Sequence, residues 1–112
     1  MKMNFWKKII AILISLPART KGVKFGKNSY LGPWYDLDPK MKGVILGDNI
    51  MIGRGAWLDI SLYTMGGKII IGDGTQIGRN VVMSAAKKIE IGKNCLVSYN
   101  VSFVDHDHKF SL

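Results

Sequence analysis

From Phe25 onward the large apolar residues recur at intervals of six. Four segments open alike: Phe25-Gly26-Lys27-Asn28, Leu46-Gly47-Asp48-Asn49, Ile71-Gly72-Asp73-Gly74 and Ile91-Gly92-Lys93-Asn94. Six residues after each start stands another apolar residue, namely Leu31, Ile52, Ile77 and Val97, and six more bring Leu37, Leu58, Met83 and Phe103. The starts lie 21, 25 and 20 residues apart, an 18-residue unit with insertions of 3, 7 and 2. Insertions that always fall between units belong at one corner of a coil. The longest, residues 64–70 with Gly66-Gly67 inside it, is expected to protrude as a loop. Triplets such as Val44-Ile45-Leu46 and Ile69-Ile70-Ile71 are rich in β-branched residues and read as strands.

This pattern predicts a solenoid with three short strands per turn. One inward apolar residue per strand stacks on its counterpart in the next turn at the strand spacing of about 4.8 Å. Glycine, asparagine and aspartate then fall at corners, where positive φ is often needed. Such repeats need about three units to bury a continuous core, and four are present.

Ahead of the repeat, residues 1–24 form a segment of different character. An apolar run from residue 9 to 16 is flanked by lysines and closed by Pro17, and Phe5, Ile9, Ile12, Leu13 and Leu16 follow a helical spacing. The run is far short of the roughly 20 residues a spanning helix needs. Leu16, three places before a cut after Ala18, makes a poor signal-peptide cleavage site. The expected reading is a short helix, packed on the domain or lying in a membrane interface, with peripheral membrane contact through residues 1–20.

Charge sharpens that division. The chain has 112 residues, room for one domain, and a net charge of +8. Seven basic residues and no acid occupy residues 1–35, whereas residues 36–112 hold nine basic and eight acidic groups. The body of the chain, residues 36–112, is therefore almost neutral, and the repeat domain, residues 25–112, lacks the basic stripe that nucleic-acid binding asks for. One cysteine, Cys95, excludes an intrachain disulfide and fits a reducing compartment. It sits at a small-residue position of the coil and is expected to pack inside.

The chain's two histidines stand together in Asp105-His106-Asp107-His108, at the end of the last repeat. Metal ligation by this run is disfavoured because neighbouring side chains on an extended strand point to opposite faces. Gly72, Gly74 and Gly78 have the wrong spacing for a dinucleotide loop and are explained by the repeat. Trp34, Tyr35 and Trp57 could stack on a sugar ring, but are expected instead to fill an irregular first turn or a subunit contact.

These repeats resemble the hexapeptide-repeat, left-handed β-helix family of acyltransferases over about residues 25–108. The family motif, an aliphatic residue followed by glycine, two variable residues and a small one, is carried by Ile71-Gly72-Asp73-Gly74-Thr75 and Ile91-Gly92-Lys93-Asn94-Cys95. Ile50 and Tyr35 depart from its small-residue position. The resemblance implies an all-β, three-sided left-handed parallel β-helix of about four coils, preceded here by the short N-terminal α-helix. Within the family, residues 100–108 look like the O-acetyltransferases of sugars and surface polysaccharides. That implies acetyl-CoA as co-substrate, a sugar or polysaccharide acceptor, a homotrimer with active sites between subunits, and a cytoplasmic location. His106 matches the catalytic base, and Asn80, one turn below, matches an asparagine that contacts the acceptor. His108 and Asp105 are expected as acceptor contacts. The family's later turns supply most of the coenzyme A groove and a backbone N–H for the oxyanion, so the repeat domain is expected to be incomplete at its C-terminal end.

The chemistry asked of His106 follows from imidazole itself. A base must take the acceptor hydroxyl's proton as oxygen attacks the thioester carbonyl, then return it to the departing thiolate. An unperturbed pKa near 6.5 suits both steps. A carboxylate on the other ring nitrogen would fix the tautomer, and Asp105 and Asp107 are both candidates. The competing reading is a catalytically inactive β-helix that serves as an assembly or membrane-docking module.

Overall fold

The computed structural model describes residues 4–37, 42–60 and 67–105. One helix, α1 (Phe5–Thr20), precedes eleven short strands: β1 (Tyr30–Leu31), β2 (Asp36–Leu37), β3 (Val44–Leu46), β4 (Met51–Ile52), β5 (Trp57–Ile60), β6 (Lys68–Ile71), β7 (Gln76–Ile77), β8 (Val82–Ala85), β9 (Lys88–Ile91), β10 (Leu96–Val97) and β11 (Ser102–Val104). Strands three places apart in the chain pair in parallel, which generates three sheets, β1-β4-β7-β10, β2-β5-β8-β11 and β3-β6-β9. The chain is a left-handed parallel β-helix whose helix precedes the first coil.

The twelve predicted apolar positions form three columns in this coil. Leu31, Ile52, Ile77 and Val97 are register partners, as are Leu37, Leu58, Met83 and Phe103. Leu46, Ile71 and Ile91 make the third, with Phe25 beside the isolated Lys24–Ile45 bridge. All are buried except Phe25, Val97 and Phe103, which pack against the core partly exposed. A fully buried rung of this kind contributes about 1.5–3 kcal/mol of hydrophobic stabilisation. A fourth column of Val44, Ile69 and Ile89 lies two residues earlier on the third sheet and broadens the core.

The position after each first corner is inward too. Ser29, Ile50 and Thr75 are wholly buried there, and Cys95 is half-buried. The Ser29 hydroxyl donates to the Gly47 carbonyl and accepts from the Ile50 N–H at 3.1 Å. Thr75 repeats the device, donating to the Gly92 carbonyl at 2.6 Å and accepting from the Cys95 N–H at 3.1 Å. Each hydroxyl thus stitches one coil to the next at a point where the ladder bends away. Ile50 occupies a small-residue position because its neighbours above and below, Ser29 and Thr75, leave it volume.

Tyr35, the other departure from the repeat motif, has a different cause. Its ring packs against the core and its hydroxyl donates to the Ile14 carbonyl of α1. Burial pushes the Tyr35 phenol above its ordinary range. A small residue would not reach the helix.

Helix α1 starts at Asn4, whose side chain accepts the Lys7 N–H at 2.8 Å and so satisfies one of the free amides of the first turn. It meets the first coil through small residues. Ser15 and Ala18 are completely buried, and the Ser15 hydroxyl donates to the Ala11 carbonyl at 2.8 Å while accepting the Leu31 N–H of β1 at 3.0 Å. A strand amide at the open end of the sheet is thereby paired. The sequence left open whether this helix packs on the domain or lies in an interface; its Ser15 and Ala18 side packs on the domain.

The expected loop at residues 64–70 is corrected. Lys68–Ile71 is strand β6, paired with both β3 and β9, and Gly67 is buried. Three consecutive isoleucines favour the pleated, buried strand over a loop. Residues 61–66, the rest of that insertion, lie outside the described residues.

Candidate functional site

The approach to the histidine cluster is built by β8 and β11. Val82, Met83 and Ser84 are register partners of Ser102, Phe103 and Val104, so the two strands leave the same side of the coil one above the other. At the end of β11 the Asp105 N–H donates to the Ser84 carbonyl at 3.3 Å. The Asp105 carboxylate then accepts three backbone N–H groups of the corner between β8 and β9. Oδ1 accepts from Ala86 at 2.7 Å, and Oδ2 accepts from Lys87 at 2.8 Å and Lys88 at 2.6 Å. Hydrogen bonds to an ionised acceptor are roughly twice as strong as neutral ones, so this clamp fixes the point from which the chain continues to His106.

His106, Asp107 and His108 lie outside the described residues. The sequence offered Asp105 either to the acceptor or to the His106 ring; its described bonds run to the backbone of the neighbouring coil. Beside the clamp, Ser84 is buried and its hydroxyl donates to Asp59 Oδ2 at 2.7 Å, joining β8 to β5.

Asn80 lies at the opposite end of that sheet. It is the corner residue before β8, exposed, with φ of 54°, and its N–H donates to the Arg54 carbonyl at 2.8 Å. Its carboxamide oxygen sits against Gly55, where a side chain would collide with it; Gly55 itself has φ of 74°. From Asn80 to the Asp105 end of the sheet is five residues of extended chain, or about 16 Å. Within one chain the structure does not bring Asn80 next to the end of β11. The same corner presents exposed Arg54 and Arg79 on successive coils, and the Arg79 guanidinium stands 5.5 Å from the centre of the Tyr99 ring. These cations and the aromatic ring form an outward stripe beside Asn80 that could meet a polar, anionic or ring-shaped ligand.

Among the described residues an open cleft of about 290 Å³ lies elsewhere, on the β1-β4-β7 sheet. It is lined by Lys8 of α1 with Asn28, Tyr30, Asn49, Met51 and Gln76. This is a different side of the coil from Asp105. Trp34 is exposed and points away from the core, Trp57 is partly exposed on an outer face, and Tyr35 is committed to the helix. The three aromatic residues are thus not gathered into one platform.

The sequence missed two structural roles near these sites. Asp48 and Asp73 share the third place of their repeats, and each accepts a backbone N–H from the preceding coil, Lys27 and Asp48 respectively, at 2.8 Å. Their identical place in two units was the available signal. The Asp105 clamp had none, because its partners lie 17 to 19 residues away and are set by how the coil closes. No family model matches the chain, and no curated protein or solved structure matches it.

Proposed function

We propose that this protein is an O-acetyltransferase that moves an acetyl group from acetyl-CoA to a hydroxyl of a sugar or surface-polysaccharide precursor, with His106 as general base. The observation that carries the reading is the clamped end of β11. Asp105 is held by three backbone N–H groups, and the residue that follows it is a histidine. A base must be held firmly against its substrate, since misplacement by about 1 Å can cost a hundredfold in rate. The carboxylate clamp supplies that constraint one residue away.

The reaction proceeds in two proton movements. Imidazole accepts the hydroxyl proton while the oxygen bonds to the thioester carbonyl carbon. As the carbon–sulfur bond breaks, the imidazolium returns the proton to the thiolate, leaving an O-acetyl ester and free coenzyme A. Asn80 contacts the acceptor, and His108 is a second acceptor contact. Asn80 and the end of β11 occupy opposite ends of one face, which supports a site formed between subunits of a homotrimer, with His106 from one subunit and Asn80 from the next.

The test follows free thiol release from acetyl-CoA with a panel of sugars, alongside ester detection by mass spectrometry. Wild type is expected to transfer acetyl to at least one sugar, and His106→Ala to lose about 10²–10⁴ in rate. Equal rates for the two proteins would reject the assignment.

A further inference from the structure

Helix α1 is amphipathic in an inverted sense. The side that meets the coil is made of small residues, Ala11, Ser15 and Ala18, of which the last two are completely buried. The large apolar residues face away: Phe5, Trp6, Ile10, Ile12, Leu13 and Leu16 are all exposed, Phe5 by 69% and Trp6 by 71%. At 100° per residue they form one broad outward stripe. Phe5 and Trp6 meet edge to face, 5.7 Å between ring centres, at the stripe's N-terminal end. Aromatic residues of this kind settle at the boundary between water and acyl chains.

The charges around the stripe identify what covers it. Lys8 and Arg19 fall on one flank of the stripe and Lys7 on the other, by the same helical geometry. Lys7 and Lys8 occupy the first turn, which contains no acid and where the helix dipole disfavours cations. Among the described residues the single ion pair joins Lys88 to Glu90, so the lysines of α1 have no carboxylate partner. A second copy of the same face would set cation against cation. An anionic bilayer receives the apolar stripe and at the same time neutralises its flanks, with the lysine stems reaching to the headgroups. The helix has sixteen residues, about 24 Å at 1.5 Å each, and no helix among the described residues is long and apolar enough to cross a membrane. Its length and its one-sided apolar stripe suit the plane of a membrane surface.

We propose that α1 docks the β-helix onto the surface of an anionic lipid bilayer, its Phe5–Leu16 stripe in the interface and its small-residue side on the first coil. This proposal is independent of the acetyl-transfer reading. The test is co-sedimentation of the full chain with vesicles of phosphatidylcholine alone or mixed with phosphatidylserine. Wild type, Leu13→Glu, Ile10→Glu and the double variant Lys7→Gln/Lys8→Gln are compared, with circular dichroism to verify folding. Wild type is expected to bind the mixed vesicles at least about tenfold more tightly than the neutral ones. Each glutamate variant and the double lysine variant should lose about tenfold or more. Glutamate variants that bind like wild type, or a wild type that stays in the supernatant, would overturn the proposal. A wild-type oligomer that ignores vesicles and that Leu13→Glu splits into smaller species would overturn it too, and would assign the stripe to a second copy.

Discussion

At the first and second corners of the coils, eight residues have left-handed backbone. Asn28, Asn49, Gly74 and Asn94 hold the first corner, and Trp34, Gly55, Asn80 and Asn100 the second. Seven are asparagine or glycine, the residues that tolerate this conformation. The eighth is Trp34, with φ of 63° and 86% of its surface exposed. A bulky side chain in this region costs about 1–2 kcal/mol, and an exposed ring recovers little of it by packing. Trp34→Asn should therefore stabilise the protein by about 1 kcal/mol in urea denaturation, and a loss of stability would show that the ring makes a contact of value. The corner asparagines were legible in the sequence because positive φ selects so few residue types. The Asp105 clamp was not, because periodicity locates a polar residue at a corner without saying which neighbouring amides its side chain meets.

Among the elements, α1 was legible as a helix but not in its orientation. Phe5, Ile9, Ile12, Leu13 and Leu16 mark one apolar side, and such a side normally faces the core. Here the end of the coil selects close approach instead, since Ser15 must come within hydrogen-bond reach of the Leu31 N–H. Only a small side chain permits that. Ser15→Ala should destabilise the protein by about 1–2 kcal/mol, because the Leu31 N–H is left buried without its acceptor. Its amide hydrogen exchange should quicken; unchanged exchange at Leu31 would mean that the helix does not seal the strand. The strands were more legible than the helix. Eleven of the twelve inward positions named from the six-residue spacing land in register columns, with Phe25 next to a bridge, because the same spacing that sets the corners sets the stacking. The one misplaced boundary, at β6, came from treating the variable insertion as a fixed block.

For the whole molecule, the coil sets Asn80 and the end of β11, two parts of one motif resemblance, at opposite ends of a sheet face. Asn80 begins a sheet face and Asp105 ends it, about 16 Å away along extended chain. The proposed reaction, which uses Asn80 and His106 together, therefore draws them from two subunits, an arrangement that a three-sided prism offers when identical faces pack around an axis. The sequence pointed to Asn80 and to the histidine run, while the separation of Asn80 from the end of β11 emerged only with the register of β8 and β11.

The most direct measurement of the shared site mixes two defective proteins. Asn80→Ala and His106→Ala, each inactive alone in acetyl transfer from acetyl-CoA, are denatured together in equal amounts and refolded, so that subunits assort at random. A site shared between neighbours regains about a quarter of wild-type activity, because one interface in four pairs an intact His106 with an intact Asn80. Mixtures that stay as inactive as their separate parents, while refolded wild type recovers, would contradict it.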